Sequence, residues 1–176
     1  IRNLTISQAA NVLGCVYADV TDESTYGEQN TTGSKSNDTK KPVGLVATNY
    51  GTIQKLKLEA VQVTSPGDYV GTFAGITVCG TDADGMATGV LKNLEVVCLN
   101  PNDENASYVK GSSYVGGIVG KLEGTEKDGK ATKVEWSKLA NAAKVTGKAY
   151  VGGIVGELRT DAARTSSIML SECENY

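Results

Sequence analysis

Histidine is absent from this sequence, and its absence removes several kinds of active site. A Ser-His-Asp triad and a Cys-His pair both need an imidazole to take the proton of the nucleophile. No segment has the glycine pattern of a nucleotide-binding loop, because the glycines fall inside apolar strand-like phrases. We therefore expect no cofactor and no enzymatic activity.

Proline and aromatic residues are also scarce, with three prolines, one phenylalanine, one tryptophan and eight tyrosines in 176 residues. A compact globular core usually depends on more large aromatic side chains. Glycine, in contrast, occurs 21 times. Much glycine with little proline and no three-residue period excludes collagen and argues against a proline-rich disordered chain. The frequent Val, Thr, Ile and Tyr residues favour strands.

The chain has neither an excess of positive charge nor a long apolar run. Its net charge is −3 and its pI is about 5.1. A nucleic-acid-binding surface needs a basic patch, and none stands out. No apolar stretch approaches the ~20 residues of a membrane-spanning helix. We expect no nucleic-acid partner and no membrane span.

Four cysteines are spread along the chain at Cys15, Cys79, Cys98 and Cys173, and their spacing fits no zinc-binding pattern. Isolated cysteines of this kind are most often small buried apolar residues. Disulfide bonds are the alternative, because cysteines on neighbouring strands can lie close together. The sequence does not assign pairs.

One short phrase recurs along the chain, which makes self-comparison informative. Tyr114–Leu122 reads YVGGIVGKL, and Tyr150–Leu158 reads YVGGIVGEL. Looser copies are Tyr69–Gly75, which reads YVGTFAG, and Pro42–Thr48, which reads PVGLVAT. The anchoring valines of the four copies are Val43, Val70, Val115 and Val151.

A second phrase, of the form I-x-x-L-x-(V/I/L), alternates with the first. Its clear copies begin at Ile1, Ile53 and Leu91. A fourth copy is aligned through Val134, Ser137 and Leu139. Two of the copies then begin 17 residues before the next anchoring valine, and a third carries an insertion around Asn100–Ser107. A constant core spacing with variable loops is typical of repeat proteins.

Both phrases predict strands. Alternation within the second phrase places Lys92, Leu94 and Val96 on one face and the polar Asn93 and Glu95 on the other. No stretch carries a sustained helical period. The one candidate helical turn, at residues 136–144, is interpreted as a strand because it aligns with strand phrases elsewhere.

Glycine inside a strand lowers stability, so the glycines of the first phrase need a reason. Close backbone approach, or a bend with positive φ, would provide one where chain segments stack tightly. Val115, Ile118 and Val119 would then fill the interior. The tyrosines that precede the phrase, Tyr69, Tyr114 and Tyr150, are expected to form a ladder.

A single repeat of 27 to 45 residues cannot bury its own apolar face, but stacked repeats can. The sequence therefore predicts one all-β domain over residues 1–176, a parallel β-solenoid that is right-handed by the usual chirality of parallel crossovers. The polar segment Asp19–Lys41 is predicted to be a loop excursion. No capping helix is predicted at either end, so we expect an internal piece of a longer array whose open ends can associate.

The V-G-G-I-V-G phrase, followed by polar turns and an I-x-N-L-type strand, resembles the GLUG motif of large secreted and surface-attached bacterial proteins, including adhesin-like ones. Val115–Gly120 and Val151–Gly156 match it well. Val70–Gly75 matches with Thr72, Phe73 and Ala74 substituted, and Val43–Thr48 has lost the second and third glycines. With the intervening strands, the resemblance covers about half of the chain and implies architecture rather than a catalytic site.

Two groups of acidic residues were considered as sites. Asp82 and Asp84 lie in a GTDADG segment that resembles part of a Ca²⁺ loop, but an Asp-Gly turn is the favoured interpretation. Glu59, Glu95 and Glu135 follow strand phrases, and a row of outward carboxylates would suit a polysaccharide lyase or hydrolase. Solvation of an outer face is the favoured interpretation of that row.

These observations predict a non-enzymatic structural or adhesive repeat module on the exterior of a bacterial cell. The module would act as a rigid spacer or as a surface that displays a ligand site. Its binding residues would lie in the insertion loops or at Tyr69, Tyr114 and Tyr150, with glycans or a host surface protein as partners. A carbohydrate-active β-helix enzyme and a self-assembling filament subunit are the alternatives.

Overall fold

The structure is a computed structural model that describes residues 1, 4–7, 41–81, 85–100, 102, 106–124, 133–159 and 167–176. These residues form an all-β protein with fifteen strands and no helix, and therefore no helix that is long and apolar enough to cross a membrane. The predicted loop at Asp19–Lys41 lies outside the described residues except for Lys41. Cys15, Asp82 and Asp84 also lie outside them.

The strands are β1 (Thr5–Ser7), β2 (Val46–Asn49), β3 (Thr52–Glu59), β4 (Gln62–Thr64), β5 (Ala74–Thr81), β6 (Ala87–Thr88), β7 (Val90–Val97), β8 (Tyr108–Lys110), β9 (Ser113–Gly116), β10 (Val119–Gly124), β11 (Lys133–Asn141), β12 (Lys144–Thr146), β13 (Ala149–Gly152), β14 (Val155–Arg159) and β15 (Ser167–Asn175).

The strands form four parallel sheets, which confirms the prediction of an all-β chain with parallel pairing. Sheet I has the order β1-β4-β8-β12, sheet II the order β2-β5-β10-β14, and sheet III the order β3-β7-β11-β15. Sheet IV contains β9 and β13. The short strand β6 is the exception among the described strands, since it pairs with β5 in antiparallel fashion.

The chain visits the sheets in a fixed order. After β2 in sheet II come β3 in sheet III and β4 in sheet I, and the next three strands of these sheets, β5, β7 and β8, follow in the same order. The series continues with β10, β11 and β12, and then with β14 and β15. Each passage through the sheets, called a circuit here, begins at an anchoring valine. Each circuit is paired with the previous one along its length.

The anchoring valines of successive circuits lie side by side. Val43 bridges to Val70, Val70 bridges to Val115, and Val115 pairs with Val151, all in parallel. The second phrase is paired in the same way, because Ile53 lies beside Leu91 in the register of β3 and β7. Residues that occupy the same place in a sequence phrase therefore occupy neighbouring strands of one sheet.

A single residue with positive φ interrupts each long strand of sheet III. These residues are Lys55, Asn93, Lys138 and Glu172, with φ of 54°, 54°, 57° and 51°. The left-handed conformation resets the alternation of side chains, so that in β7 both Leu91 and Leu94 are buried although three positions apart. Lys92 is exposed, and the prediction that it shares a face with Leu94 and Val96 is wrong for this reason.

Strand β11 confirms that the segment at 136–144 begins as a strand, but it corrects the alignment of the fourth phrase. Leu139 pairs with Leu94 and Asn141 with Val96. Ser137 lies beside Lys92 and outside the core row. The matching phrase is therefore Trp136, Leu139 and Asn141, two residues later than predicted, and the equal spacing of 17 residues does not hold. A tryptophan and an asparagine at positions held elsewhere by aliphatic residues concealed the match.

The interior is filled mainly by aliphatic side chains from all four sheets, and Val115, Ile118 and Val119 are fully buried as predicted. The glycines of the first phrase allow close backbone contact. A Cβ atom on Gly120 would lie 2.5 Å from the amide nitrogen of Val70. A Cβ atom on Gly156 would lie 2.6 Å from the carbonyl oxygen of Gly120. Close approach between circuits is thus confirmed as the reason for these glycines.

Candidate functional site

The three predicted site tyrosines form a continuous stack across three circuits. The ring centroids of Tyr69 and Tyr114 are 4.9 Å apart with an interplanar angle of 12°. Those of Tyr114 and Tyr150 are 4.7 Å apart at 5°. Because each tyrosine precedes an anchoring valine, the parallel register of the valines places the rings one above another. We call these three residues the tyrosine ladder.

The backbone of each ladder residue is left-handed. Tyr69, Tyr114 and Tyr150 have φ of 58°, 56° and 52°. The bend with positive φ that was predicted for a glycine is therefore located at the residue before the phrase. This conformation is uncommon for a bulky side chain and must be held in place by its surroundings. Tight glycine contacts from the next circuit supply that constraint. The Cβ position of Gly120, in the phrase that follows Tyr114, lies 2.6 Å from the carbonyl carbon of Tyr69.

A buried lysine lies against the ladder. The ammonium nitrogen of Lys121 is 5.4 Å from the ring centroid of Tyr69 and 5.8 Å from that of Tyr114, within the range of a cation–π interaction. It pairs with Glu123 at 2.5 Å and with Glu157 at 3.8 Å. Glu157 is also the register partner of Lys121 across β10 and β14. The ladder and this ion network together join neighbouring circuits.

The ion network and the ladder change the pKa values of Lys121 and Tyr114. Burial alone would lower the pKa of Lys121, but the hydrogen bond and charge of Glu123, with the charges of Tyr69 and Glu157, raise this pKa above its ordinary value. Desolvation raises the pKa of the Tyr114 phenol, and the negative charge of Glu157 raises it further. Lys121 is therefore a persistent cation and Tyr114 a neutral phenol at physiological pH.

The ladder has little aromatic surface to offer a sugar. A pyranose ring stacks on a free aromatic face, and both faces of Tyr114 are covered by its neighbours. Tyr150, at the end of the stack, is the most open ladder residue, with 57% of its surface exposed. Otherwise the ladder presents ring edges and hydroxyl groups. The geometry favours a structural role for these tyrosines, and their role in binding stays a prediction.

The described cysteines form no disulfide bond. Cys79 is buried, and Cys98 and Cys173 are half-buried. Burial raises the pKa of Cys79 to about 12, although a hydrogen bond involving Trp136 opposes the shift. Burial also raises the pKa of Cys173, against a backbone hydrogen bond from Leu139. Cys79 thus fits the predicted small buried apolar residue.

The predicted row of outward carboxylates is not formed. Glu95 lies beside Lys57 in one neighbouring strand and beside Ala140 in the other. Glu59 pairs in register with Val97, and Glu135 with Met169. The three glutamates follow different positions of the second phrase, at Leu58, Leu94 and Val134, and the parallel register keeps these positions apart. The feature that suggested a polysaccharide lyase or hydrolase is therefore absent from this face.

Two features were missed by sequence reasoning. Lys121 looks like an ordinary exposed charge in the GKL segment, yet it is 7% exposed. A groove on the outer face of sheet I was also missed, because its lining residues come from different circuits and have no common sequence phrase. Among the described residues, no group of three or more His, Cys, Asp or Glu is arranged to hold a metal ion.

Comparison of the chain with protein-family models, with curated proteins and with solved structures gives no match.

Proposed function

We propose that this chain is a parallel β-solenoid that serves as a rigid, non-enzymatic module on the exterior of a bacterial cell, as a spacer or as a surface for a ligand site. The observation that carries the proposal is the fixed order in which the chain visits its sheets. Each circuit is then one coil, hydrogen-bonded along its length to the coil before it.

The contacts between coils support a load-bearing role. Register pairs join neighbouring coils in every sheet, and the tyrosine ladder and Lys121 join them on the outside. The core between the sheets is mainly aliphatic from the first described circuit to the third, although Thr72, Thr77 and Asn141 are also fully buried. Stability in such a stack is nearly a sum of coil and interface terms, so added coils lengthen the module without a new fold.

The resemblance to the GLUG motif supports the bacterial exterior. The phrases that carry it, Val115–Gly120 and Val151–Gly156, contain glycines at which a Cβ atom would collide with the neighbouring coil. Their glycines thus have a physical role in stacking, as a building block of long surface proteins requires. Extracellular placement is part of the proposal.

Pulling the chain by its two ends in a force spectrometer tests the spacer role. We expect resistance, followed by discrete lengthening steps of roughly 90–160 Å, the contour length of one coil at ~3.5 Å per residue. The urea-unfolded chain is the control and should extend smoothly. Smooth extension of the native chain would reject the proposal.

A second candidate function, self-assembly, is favoured by the surface formed by β13, β14 and β15. Val151, Leu158 and Leu170 are 45%, 43% and 40% exposed there. Their partners one coil earlier, Val115, Leu122 and Trp136, are completely buried. No described strand pairs with the outer edges of these three strands. An apolar surface bordered by open strand edges is a template for another coil.

Sedimentation over a range of concentrations tests this second function. We expect the chain to associate as concentration rises, and Leu170→Glu to keep it monomeric by placing a charge on the open surface. Leu99→Glu changes an exposed leucine away from that surface and is the matched control. A chain that stays monomeric at every concentration, or two variants that behave alike, would exclude assembly through this surface.

A further inference from the structure

The outer face of sheet I carries a groove with a volume of about 930 Å³. The residues used below are Thr64, Tyr108, Lys110, Lys144, Thr146 and Tyr176. Part of the lining comes from Cys98, just before the predicted insertion in the second coil, and from Ala106 and Ser107 at the end of that insertion. The other lining residues come from the first coil (Thr64), from β8 of the second coil and from later coils.

Strand alternation explains why polar side chains line this groove. Val63 in β4 and Val109 in β8 point into the core and are fully buried, so the residues on either side of each valine point outward. The register places Tyr108 beside Lys144. The same register places Lys110 beside Thr146.

The two lysines are diagonal neighbours on adjacent strands. With strands ~4.8 Å apart and a rise of ~3.3 Å per residue, their Cα atoms lie roughly 8 Å apart. Both side chains belong to exposed residues. The result is a pair of ammonium groups that project over one groove.

Among the described residues, the lining of this groove has two lysines and no carboxylate side chain, although the chain as a whole has a net charge of −3. Two other exposed lysines form ion pairs, Lys57 with Glu95 and Lys138 with Glu172. Neither Lys110 nor Lys144 forms an ion pair with a described residue. At the lining residue Tyr176, the carboxylate of Glu174 accepts a hydrogen bond from the tyrosine hydroxyl.

The rest of the lining suits a sugar. The Tyr176 ring is 79% exposed, and its backbone is held by a hydrogen bond from its N–H to the carbonyl of Asn141 at 2.9 Å. Tyr108 contributes a second ring, and Thr64 and Thr146 contribute hydroxyl groups. Aromatic faces with hydroxyl groups around them match the apolar faces and hydroxyl edges of a pyranose.

A peptide fits this groove less well. Strand addition needs an open edge, and β8, in the middle of the sheet, is paired on one side with β4 and on the other with β12. A peptide that adds to β12, the last described strand of sheet I, would lie beside the groove and not on its floor. An extended peptide laid on this floor could not use its main chain for pairing with β8. A saccharide does not depend on such pairing.

We infer that this groove binds an acidic polysaccharide, with Lys110 and Lys144 contacting carboxylate or sulfate groups and Tyr108 and Tyr176 packing against sugar rings. This inference rests on the proposed function, because it supplies the ligand site of the surface module. The tyrosines proposed to bind the ligand are thus Tyr108 and Tyr176 and not those of the tyrosine ladder. The rings of Tyr108 and Tyr176 do not cover each other's faces.

Affinity electrophoresis in gels that contain polygalacturonate, dextran sulfate or neutral dextran tests the inference. We expect retardation by one or both acidic polymers and none by dextran. The double variant Lys110→Gln/Lys144→Gln should weaken binding by about tenfold, the effect of losing two exposed charge contacts. The control Lys55→Gln/Lys92→Gln removes the same charge from sheet III and should bind as wild type.

Three further outcomes separate the alternatives. Tyr176→Ala should also weaken binding, which a pure ion-exchange surface would not show. Equal retardation by poly-glutamate would contradict the preference for saccharides. Absence of binding to both acidic polymers, or equal loss in both lysine double variants, would overturn the inference. None of these results changes the force measurement, so failure of the site and failure of the spacer role remain distinct.

Discussion

Three tyrosines in this chain hold a backbone conformation that is costly for any L-residue with a large side chain. The left-handed conformation costs roughly 1–2 kcal/mol per residue. Stacked aromatic pairs return about 0.5–1.5 kcal/mol each beyond the burial of their area, and Tyr114 has two such neighbours. The ladder therefore offsets part of the strain that its own backbone creates.

At Tyr114, a glycine variant should be more stable than an alanine variant, which reverses the usual order of stability of these two residues in a strand. Glycine inside a strand is normally less stable than alanine by about 0.5–1 kcal/mol. At φ of 56° alanine keeps the strain and glycine does not, so Tyr114→Gly should be more stable than Tyr114→Ala by about 1 kcal/mol. Free energies of unfolding from urea titrations measure the difference. Tyr108, which lacks a positive φ, is the control and should show the usual order. The same order at both sites would contradict this account.

Alkaline pH should destabilise the protein through the Cys79 thiol. Burial raises the pKa of this thiol to about 12 in the folded chain, from 9.0 for an exposed thiol. A raised folded pKa gives stability that is complete below pH 9 and is lost as pH rises towards 12, by up to ~1.4 kcal/mol per pH unit. Cys79→Ala should reduce the loss of unfolding free energy per pH unit, as measured by urea titrations between pH 9 and 11. Cys98→Ala is the control and should keep it, and an unchanged slope in Cys79→Ala would refute the assignment.

At the scale of the strand, the sequence predicted which segments are extended and where the backbones approach. The copies of YVGGIVG align without error because their glycines and valines are the residues that stacking requires. The second phrase was harder, because its three-residue step arises from a left-handed residue. In three of the four strands that residue is a lysine or a glutamate, and neither residue type favours that conformation. In β11, Trp136 and Asn141 replace aliphatic residues, so hydrophobicity alone selected the wrong register.

Gly120→Ala tests the contact between coils. The new Cβ atom would lie 2.5 Å from the Val70 nitrogen, a backbone atom that can move only with its whole coil. We expect a loss of about 1–3 kcal/mol, or more, in the free energy of unfolding. Gly51→Ala is the matched control, because its nearest neighbour would be 3.9 Å away, and it should be neutral or slightly stabilising. Equal effects at the two glycines would show that the coils are not in close contact.

At the scale of the whole molecule, the parallel register pairs equivalent residues of the recurring phrases, whereas the candidate site lies outside both phrases. The phrases predicted parallel stacking because equal residues recur at a distance that allows them to pair. The groove on sheet I could not be predicted, since Lys110 and Lys144 belong to different coils and to neither phrase. The ladder was predicted, but only the ring distances show that its faces are covered.

Engineered disulfides measure the stacking register most directly. In a chain whose four cysteines are replaced by alanine, cysteine pairs would be introduced at positions 57 and 95, at 95 and 140, and at 57 and 140. Lys57 and Ala140 are the register partners of Glu95 on its two sides. Partners on adjacent strands lie about 5 Å apart, while positions two coils apart lie about 10 Å apart. A disulfide cannot bridge Cα atoms more than ~7 Å apart.

Mild oxidation followed by mass spectrometry gives the result. The account predicts that the pairs 57/95 and 95/140 form an intramolecular disulfide and that the pair 57/140 stays reduced. Formation of the 57/140 disulfide as readily as the others, or failure of both adjacent pairs, would contradict the stacked parallel circuits on which the proposed solenoid depends.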